Sequence, residues 1–275
     1  MTCATVRGIE LDYDSFGDVG APAILLIMGL VMPGIAWPDP IVDGLAAAGF
    51  RVIRFDNRDC GHSGKVVGGR LPDLRMAIAR ALLRRKVTAP YTLDDMAADA
   101  VGLLDALGIG RAHVVGVSMG GMIAQNVAAL YPQRVASLTS IMSSTGNPSV
   151  RVAMGKPRAL RALLARPAST ADAEALVEHY VRVFGVIGSP GFAVDGELLR
   201  HDLRRIVSRG VHPAGTARQL LAILASGDRR PLLHRIVAPT LVVHGSDDPL
   251  VPVAAGRDTA VHIQGSRLEI IRGMG

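Results

Sequence analysis

The chain has 275 residues, 49% hydrophobic and 4% aromatic, with a formal net charge of +6. That length accommodates one large α/β domain and requires no second one, and no apolar run reaches membrane-spanning or signal-peptide form. Two cysteines, Cys3 and Cys60, match no metal or redox spacing and point to a reducing, cytoplasmic setting.

In chain order, Ile9 to Phe16 alternates apolar and polar residues, the pattern of an edge strand. Ala23 to Met28 is a continuous apolar run and predicts a central parallel strand, ending in Met28-Gly29-Leu30. A Gly- and Pro-rich loop follows, then a helix to Ala48 with Gly49 as its C-terminal cap. Phe50 to Phe55 is the next strand, closed by the turn Asp56 to Gly64. Residues 65–90 resemble an insertion carrying a short helix over Met76–Leu83. Thr92, with Asp95 three residues on, caps a helix that Gly108 stops.

The stretch His113 to Ala124 organises the rest. A β-branched run breaks at Ser118, and small residues lead into an apolar helix pattern. Gly116-Val117-Ser118-Met119-Gly120 matches G-x-S-x-G, in which a serine on a strained strand-to-helix turn needs small neighbours two residues either side. A strand over Val135–Met142 follows. From residue 144 to about 235 the pattern is helical, four helices broken near Pro167, Gly188–Gly191 and His212-Pro213. Core strands resume at Pro239–Gly245 and Arg267–Ile271, flanking a helix over Val251–Val261. Alternating strands and helices mean a mostly parallel sheet covered on both faces, core 1–143 and 236–275, with the helical stretch as a lid over Ser118. Between Arg151 and Arg235 stand 14 Lys or Arg against 7 Asp or Glu, so +7 falls there and −1 elsewhere. Arginines spaced among Ala and Leu read as the solvated faces of amphipathic helices, and nucleic-acid binding is not expected.

The serine turn, the Asp56-to-Ser63 turn (similar to D-x-R-G-x-G-x-S) and the His244-to-Pro252 segment stand in the order found in α/β-hydrolases, which this chain resembles over most of its length. Ile27 to Leu30, Trp37-Pro38-Asp39 and Arg54 to Asp59 resemble the esterase subgroup that includes the aclacinomycin methylesterases. The resemblance implies a sheet-plus-lid fold and hydrolysis of a small-molecule carboxylic ester without cofactor or metal. It implies Ser118 as nucleophile, with the backbone N–H groups of Met119 and Leu30 as the oxyanion hole. Many members have His-Gly where this chain has Met28-Gly29, and a backbone donor survives that exchange. The carboxylate that orients the base falls on Asp248, with Asp247 as second choice.

The histidine of the triad is expected after the last strand, in Gly-x-Gly-His, where this sequence reads Arg272-Gly273-Met274-Gly275. None of the eight histidines is a good substitute, those in or beside the lid (His179, His201, His212, His234) being expected at the surface. Two explanations stand: a fragment of a longer enzyme whose next residue is the histidine, which is favoured, or a degenerate hydrolase. Either way residues 1–275 are expected to be nearly inactive. A non-catalytic ligand-binding protein of the same fold, or a cofactor-free perhydrolase or haloperoxidase, are the alternatives.

Overall fold

A computed structural model describes residues 2–68 and 71–275, apart from the side chain of Val150. Residues 69 and 70 of the expected insertion, and Met1, lie outside the described residues. Eight strands form one sheet: β1 (Thr2–Val6), β2 (Ile9–Phe16), β3 (Ala23–Ile27), β4 (Arg51–Phe55), β5 (Ala112–Val117), β6 (Val135–Ile141), β7 (Thr240–Gly245) and β8 (Arg267–Ile271). Their spatial order is β1-β2-β4-β3-β5-β6-β7-β8. β2 runs antiparallel to β1 and β4, and the remaining pairs are parallel.

β2 is therefore not the edge. β1 lies outside it, in register from Thr2 opposite Tyr13 to Val6 opposite Ile9. Four of its five residues are exposed or half-buried, so no apolar alternation marks it. All five residues of β3 are buried, as an unbroken apolar run between two helical layers requires. β4 is equally buried although it carries two arginines. Arg54 is neutralised by Asp14 at 3.0 Å and Asp39 at 2.8 Å and lies over the Phe16 ring.

One face of the sheet packs on α3 (Leu93–Ala106) and α4 (Met119–Leu130), the other on Trp37 and α1 (Asp39–Ala47). The punctuation falls where expected. Gly49 just past α1 has φ 88, and Thr92 and Asp95 close a reciprocal capping box on α3. The insertion before α3 holds α2 (Leu74–Leu82), two residues earlier than its periodicity suggested.

Between β6 and β7 lie six helical segments rather than four: α5 (Val150–Ala153), α6 (Pro157–Leu164), α7 (Ala173–Ile187), α8 (Gly196–Ser208), α9 (Pro213–Ser226) and α10 (Arg230–Leu233). The two extra ones are four-residue turns, too short to leave a periodic trace. Leu176 and Val177 of α7 pack on Leu203 and Val207 of α8 as a separate apolar cluster. α11 (Val253–His262) then joins β7 to β8. Among the described residues no helix is long and apolar enough to cross a membrane.

Candidate active site

β5 delivers the chain to a turn at Ser118 with φ 55 and ψ −120, a left-handed conformation that a side chain rarely adopts. The glycines on either side explain why it is sustained. A Cβ on Gly116 would stand 2.1 Å from the Gly120 carbonyl oxygen, and one on Gly120 would stand 2.1 Å from that of Ile27. Ser118 begins α4 without a capping hydrogen bond from its own side chain, which leaves Oγ free. The backbone is fixed instead: Ser118 N–H donates to the Ile141 carbonyl at 2.9 Å, and the Ser143 hydroxyl donates to the Ser118 carbonyl at 2.8 Å.

The loop after β3 packs directly on this turn. Gly29 is so close that a Cβ there would lie 3.2 Å from Ser118 Cβ. Three side chains hold the loop. Asn57 Nδ2 donates to the Met28 carbonyl at 3.0 Å; Gln219 of α9 accepts from Val31 N–H at 3.0 Å; Cys60 Sγ lies 2.9 Å from the Val31 carbonyl. Val31 itself sits at φ 69. Among the described residues, neither Leu30 nor Met119 N–H has a protein acceptor. Both amides flank Ser118, one from the loop and one from the first turn of α4, whose free N–H groups favour negative charge.

Ser118, Gly29, Leu30 and Asp248 line a single cavity of about 930 Å³, roofed by α7, α8 and α9. Its wall is apolar, with Val183, Phe184 and Leu203 among the contributors from the roof. Among the described residues the lining holds one Lys or Arg, Arg166, which is exposed. Burial pushes the Tyr180 hydroxyl up to about 12, so it stays protonated and neutral.

The turn after β7 separates its two carboxylates. Asp248 has a side chain only 5% exposed, and its Oδ1 accepts from Leu250 and Val251 N–H at 2.8 Å each. Asp247 is exposed and accepts from Gly273 N–H at 3.1 Å, away from the cavity lining. Burial raises the Asp248 carboxyl above the usual carboxylate range, against the two N–H donors and His244, which pull it down.

His244 is fully buried behind the turn, its Nε2 donating to the Val251 carbonyl at 2.8 Å and lying 3.6 Å from Asp248 Oδ2. Its Nδ1 has no partner among the described residues. The histidine expectation needs one correction. His201 and His234 are exposed, but His179 is buried and alone among the eight lines the cavity. It lies on the inward face of α7, where burial, with Arg182 nearby, favours its neutral form. The backbone at Gly275 also lines the cavity, its N–H donating to Ser189 Oγ at 3.0 Å.

Sequence reasoning also missed a buried ionic array beneath the oxyanion-side loop. Arg58 forks onto Asp99 at 2.5 and 2.6 Å, and Arg218 of α9 forks onto Asp59 at 2.7 Å twice. Tyr91 donates to Asp59 at 2.8 Å and stacks beneath Arg58. The available signal was Asp59 itself. It occupies the position of a motif glycine, holds φ 68, and as a buried carboxylate requires a cation.

A family model described as the alpha/beta hydrolase fold matches residues 22–275. The chain belongs to the α/β-hydrolase family. It is 30% identical over 285 residues to the rhodomycin D methylesterase DauP of Streptomyces sp. (strain C5), covering 97% of this chain and 89% of that protein. It is also 30% identical over 268 residues to a 2-hydroxy-6-oxononadienedioate/2-hydroxy-6-oxononatrienedioate hydrolase of Paraburkholderia xenovorans (strain LB400), covering 95% and 82%. The crystal structure of the enol-lactonase from Burkholderia xenovorans LB400 superposes with a TM-score of 0.70 at 28% identity, covering 98% of this α/β-hydrolase and 91% of that chain. These relatives are hydrolases, and the eight-stranded, mostly parallel sheet is the family's.

Proposed function

We propose that this α/β-hydrolase cleaves uncharged carboxylic esters, with Ser118 as nucleophile. The observation that carries the reading is the strained Ser118 turn, set on a large apolar cavity between two unoccupied amides, Leu30 N–H and Met119 N–H. Attack of Oγ on an ester carbonyl generates an oxyanion, and donors placed in advance stabilise it; one such donor is worth about a hundred- to a thousand-fold in rate. Asp248, held by Leu250 and Val251 N–H, orients the imidazole that accepts the Ser118 proton. Asp247 faces another turn and takes no part.

Electrostatics supports an uncharged substrate. A dioate brings carboxylates that need buried cations. The lining among the described residues offers only the exposed Arg166, alongside the acidic Asp202 and Asp248. A neutral ester of the kind a methylesterase cleaves fits that wall.

The test asks whether an imidazole joined to Gly275, whose backbone stands in the cavity wall with Ser118 and Asp248, completes the site. It compares p-nitrophenyl butyrate hydrolysis by residues 1–275 with that of a chain extended by a histidine and a helix. The extended chain is expected to be faster by a factor on the order of a million, the scale of triad deletions. Ser118→Ala abolishes its activity. Equal, robust rates from the two chains, or activity surviving Ser118→Ala, overturn the assignment.

A further inference from the structure

α2 has two apolar faces, and only one is used. Leu74, Ala77 and Ala81 turn inward and pack with Leu221 and Leu224 of α9. Met76 is 62% exposed, and Leu82 and Leu83 are each 68% exposed. At 100° per residue, Met76, Ala79, Leu82 and Leu83 cover an outward arc of about 120°. Arg75 lies within that arc and Arg80 on its flank, and Arg84, Arg85 and Lys86 close its C-terminal end.

Five cations and no carboxylate occupy residues 74–86. Some surface arginines elsewhere are neutralised, Arg204 by Glu174 at 2.9 Å, Arg200 by Glu178 at 3.0 Å and Arg230 by Asp228 at 2.6 Å, whereas Arg111, Arg235, Arg257 and Arg272 stand singly without a carboxylate among the described residues. None of these five, Arg75 and Arg80 on α2 and Arg84, Arg85 and Lys86 just after it, has a carboxylate partner among the described residues. A solvated helix face has no use for three large apolar side chains, and a protein partner of ordinary charge balance has no use for five unpaired cations. An apolar stripe bordered by arginines is the composition of a helix lying in a lipid interface, where the stripe enters the acyl boundary and the guanidinium groups remain among anionic headgroups.

The position of α2 gives the surface a purpose. Leu74 lines the same cavity as Ser118, and the exposed residues Leu164, Ala165 and Arg166 mark that cavity's open side. α6, beside them, belongs to a second basic stretch, with Arg151, Lys156, Arg158, Arg161 and Arg166 and no acid before Asp172.

We infer that the outer face of α2 docks the protein reversibly on an anionic lipid bilayer, with the open side of the Ser118 cavity turned toward it. Charge sets the selectivity and the stripe sets the depth. This docking is independent of the ester reading, because it requires nothing of Ser118.

The test is co-sedimentation of the 275-residue chain with vesicles of phosphatidylcholine alone and of phosphatidylcholine with phosphatidylglycerol. Binding is expected only to the anionic vesicles and falls as salt rises. Arg80→Gln with Arg84→Gln weakens it roughly thirty-fold, the scale of two surface charges. Met76→Ser with Leu83→Ser also removes it, with unchanged circular dichroism, whereas Arg204→Gln with Arg230→Gln leaves it intact. Equal binding to both vesicle types overturns the proposal. So does an unaltered affinity in the Met76/Leu83 variant, double-stranded DNA binding that survives that variant, or a dimer through this face with no vesicle binding.

Discussion

At the scale of single residues, the two candidate groups sit in opposite kinds of environment. Ser118 is strained and open to a cavity; Asp248 is relaxed and nearly dry. Burial raises the folded-state pKa of Asp248, so the folded protein holds its proton to higher pH than the unfolded chain does. Its contribution to stability is then greatest below the ordinary carboxylate range and falls as pH rises toward the folded pKa. Asp248→Asn keeps the acceptor for Leu250 and Val251 N–H and removes the charge. Its denaturation midpoint is expected above that of the parent at neutral pH, with the gain vanishing at acid pH. A midpoint that drops at neutral pH would show the carboxylate to be a net stabiliser. The turns that carry Ser118 and Asp248 were legible because short motifs encode them: the glycines at 116 and 120 are required by contacts that any Cβ would violate. The contrast between Asp247 and Asp248 was not legible, because it depends on a turn whose Gly273 N–H claims one of them. Gln219 and Arg218 were invisible for another reason. Their partners, Val31 and Asp59, stand more than 150 residues away in sequence.

Secondary-structure elements were legible where an apolar run or a cap marks them. β3 and β5 appeared as apolar runs, α3 through its capping box and β8 at its true bounds. β1 escaped because an exposed outermost strand of five residues has little apolar pattern to show. The role of α9 escaped because its inward side chains include Arg218 and Gln219, residues ordinarily assigned to a solvated face. Arg218→Ala leaves the fully buried Asp59 carboxylate without its fork, and we expect a loss of about 3–5 kcal/mol in denaturant unfolding. Combining Asp59→Gly with Arg218→Met restores the motif glycine and is expected to recover most of that loss. A double variant as unstable as the single one would mean that Arg218 acts through packing rather than charge.

For the molecule as a whole, a basic sequence has become an uneven surface. Part of the excess positive charge is consumed internally, on Asp59, Asp99 and Asp56. Part is matched across α7 and α8 by Glu174 and Glu178. A further share lies on and beside α2 and α6, which contribute Leu74 and Leu164 to the cavity lining. The reading of the Arg151–Arg235 arginines as solvated helix faces holds for Arg204 of α8; α2 lies outside that stretch, and no periodicity rule could distinguish its exposed leucines from core leucines.

The forks from α9 onto the β4 turn also bear on motion. Arg218 and Gln219 rivet that helix to the β4 turn, and Arg205 and Arg209 tie the C-terminal end of α8 to Asp39, Asp12 and Asp56, whereas α7 rests mainly on α8. Breathing of the roof is therefore expected mainly in α7, with α9 and the C-terminal end of α8 as the stationary posts. Amide deuterium uptake should show it: α9 exchanging on the timescale of β3 and β5, and α7 orders of magnitude sooner. Uniform uptake across the three helices would mean that the roof moves in one piece.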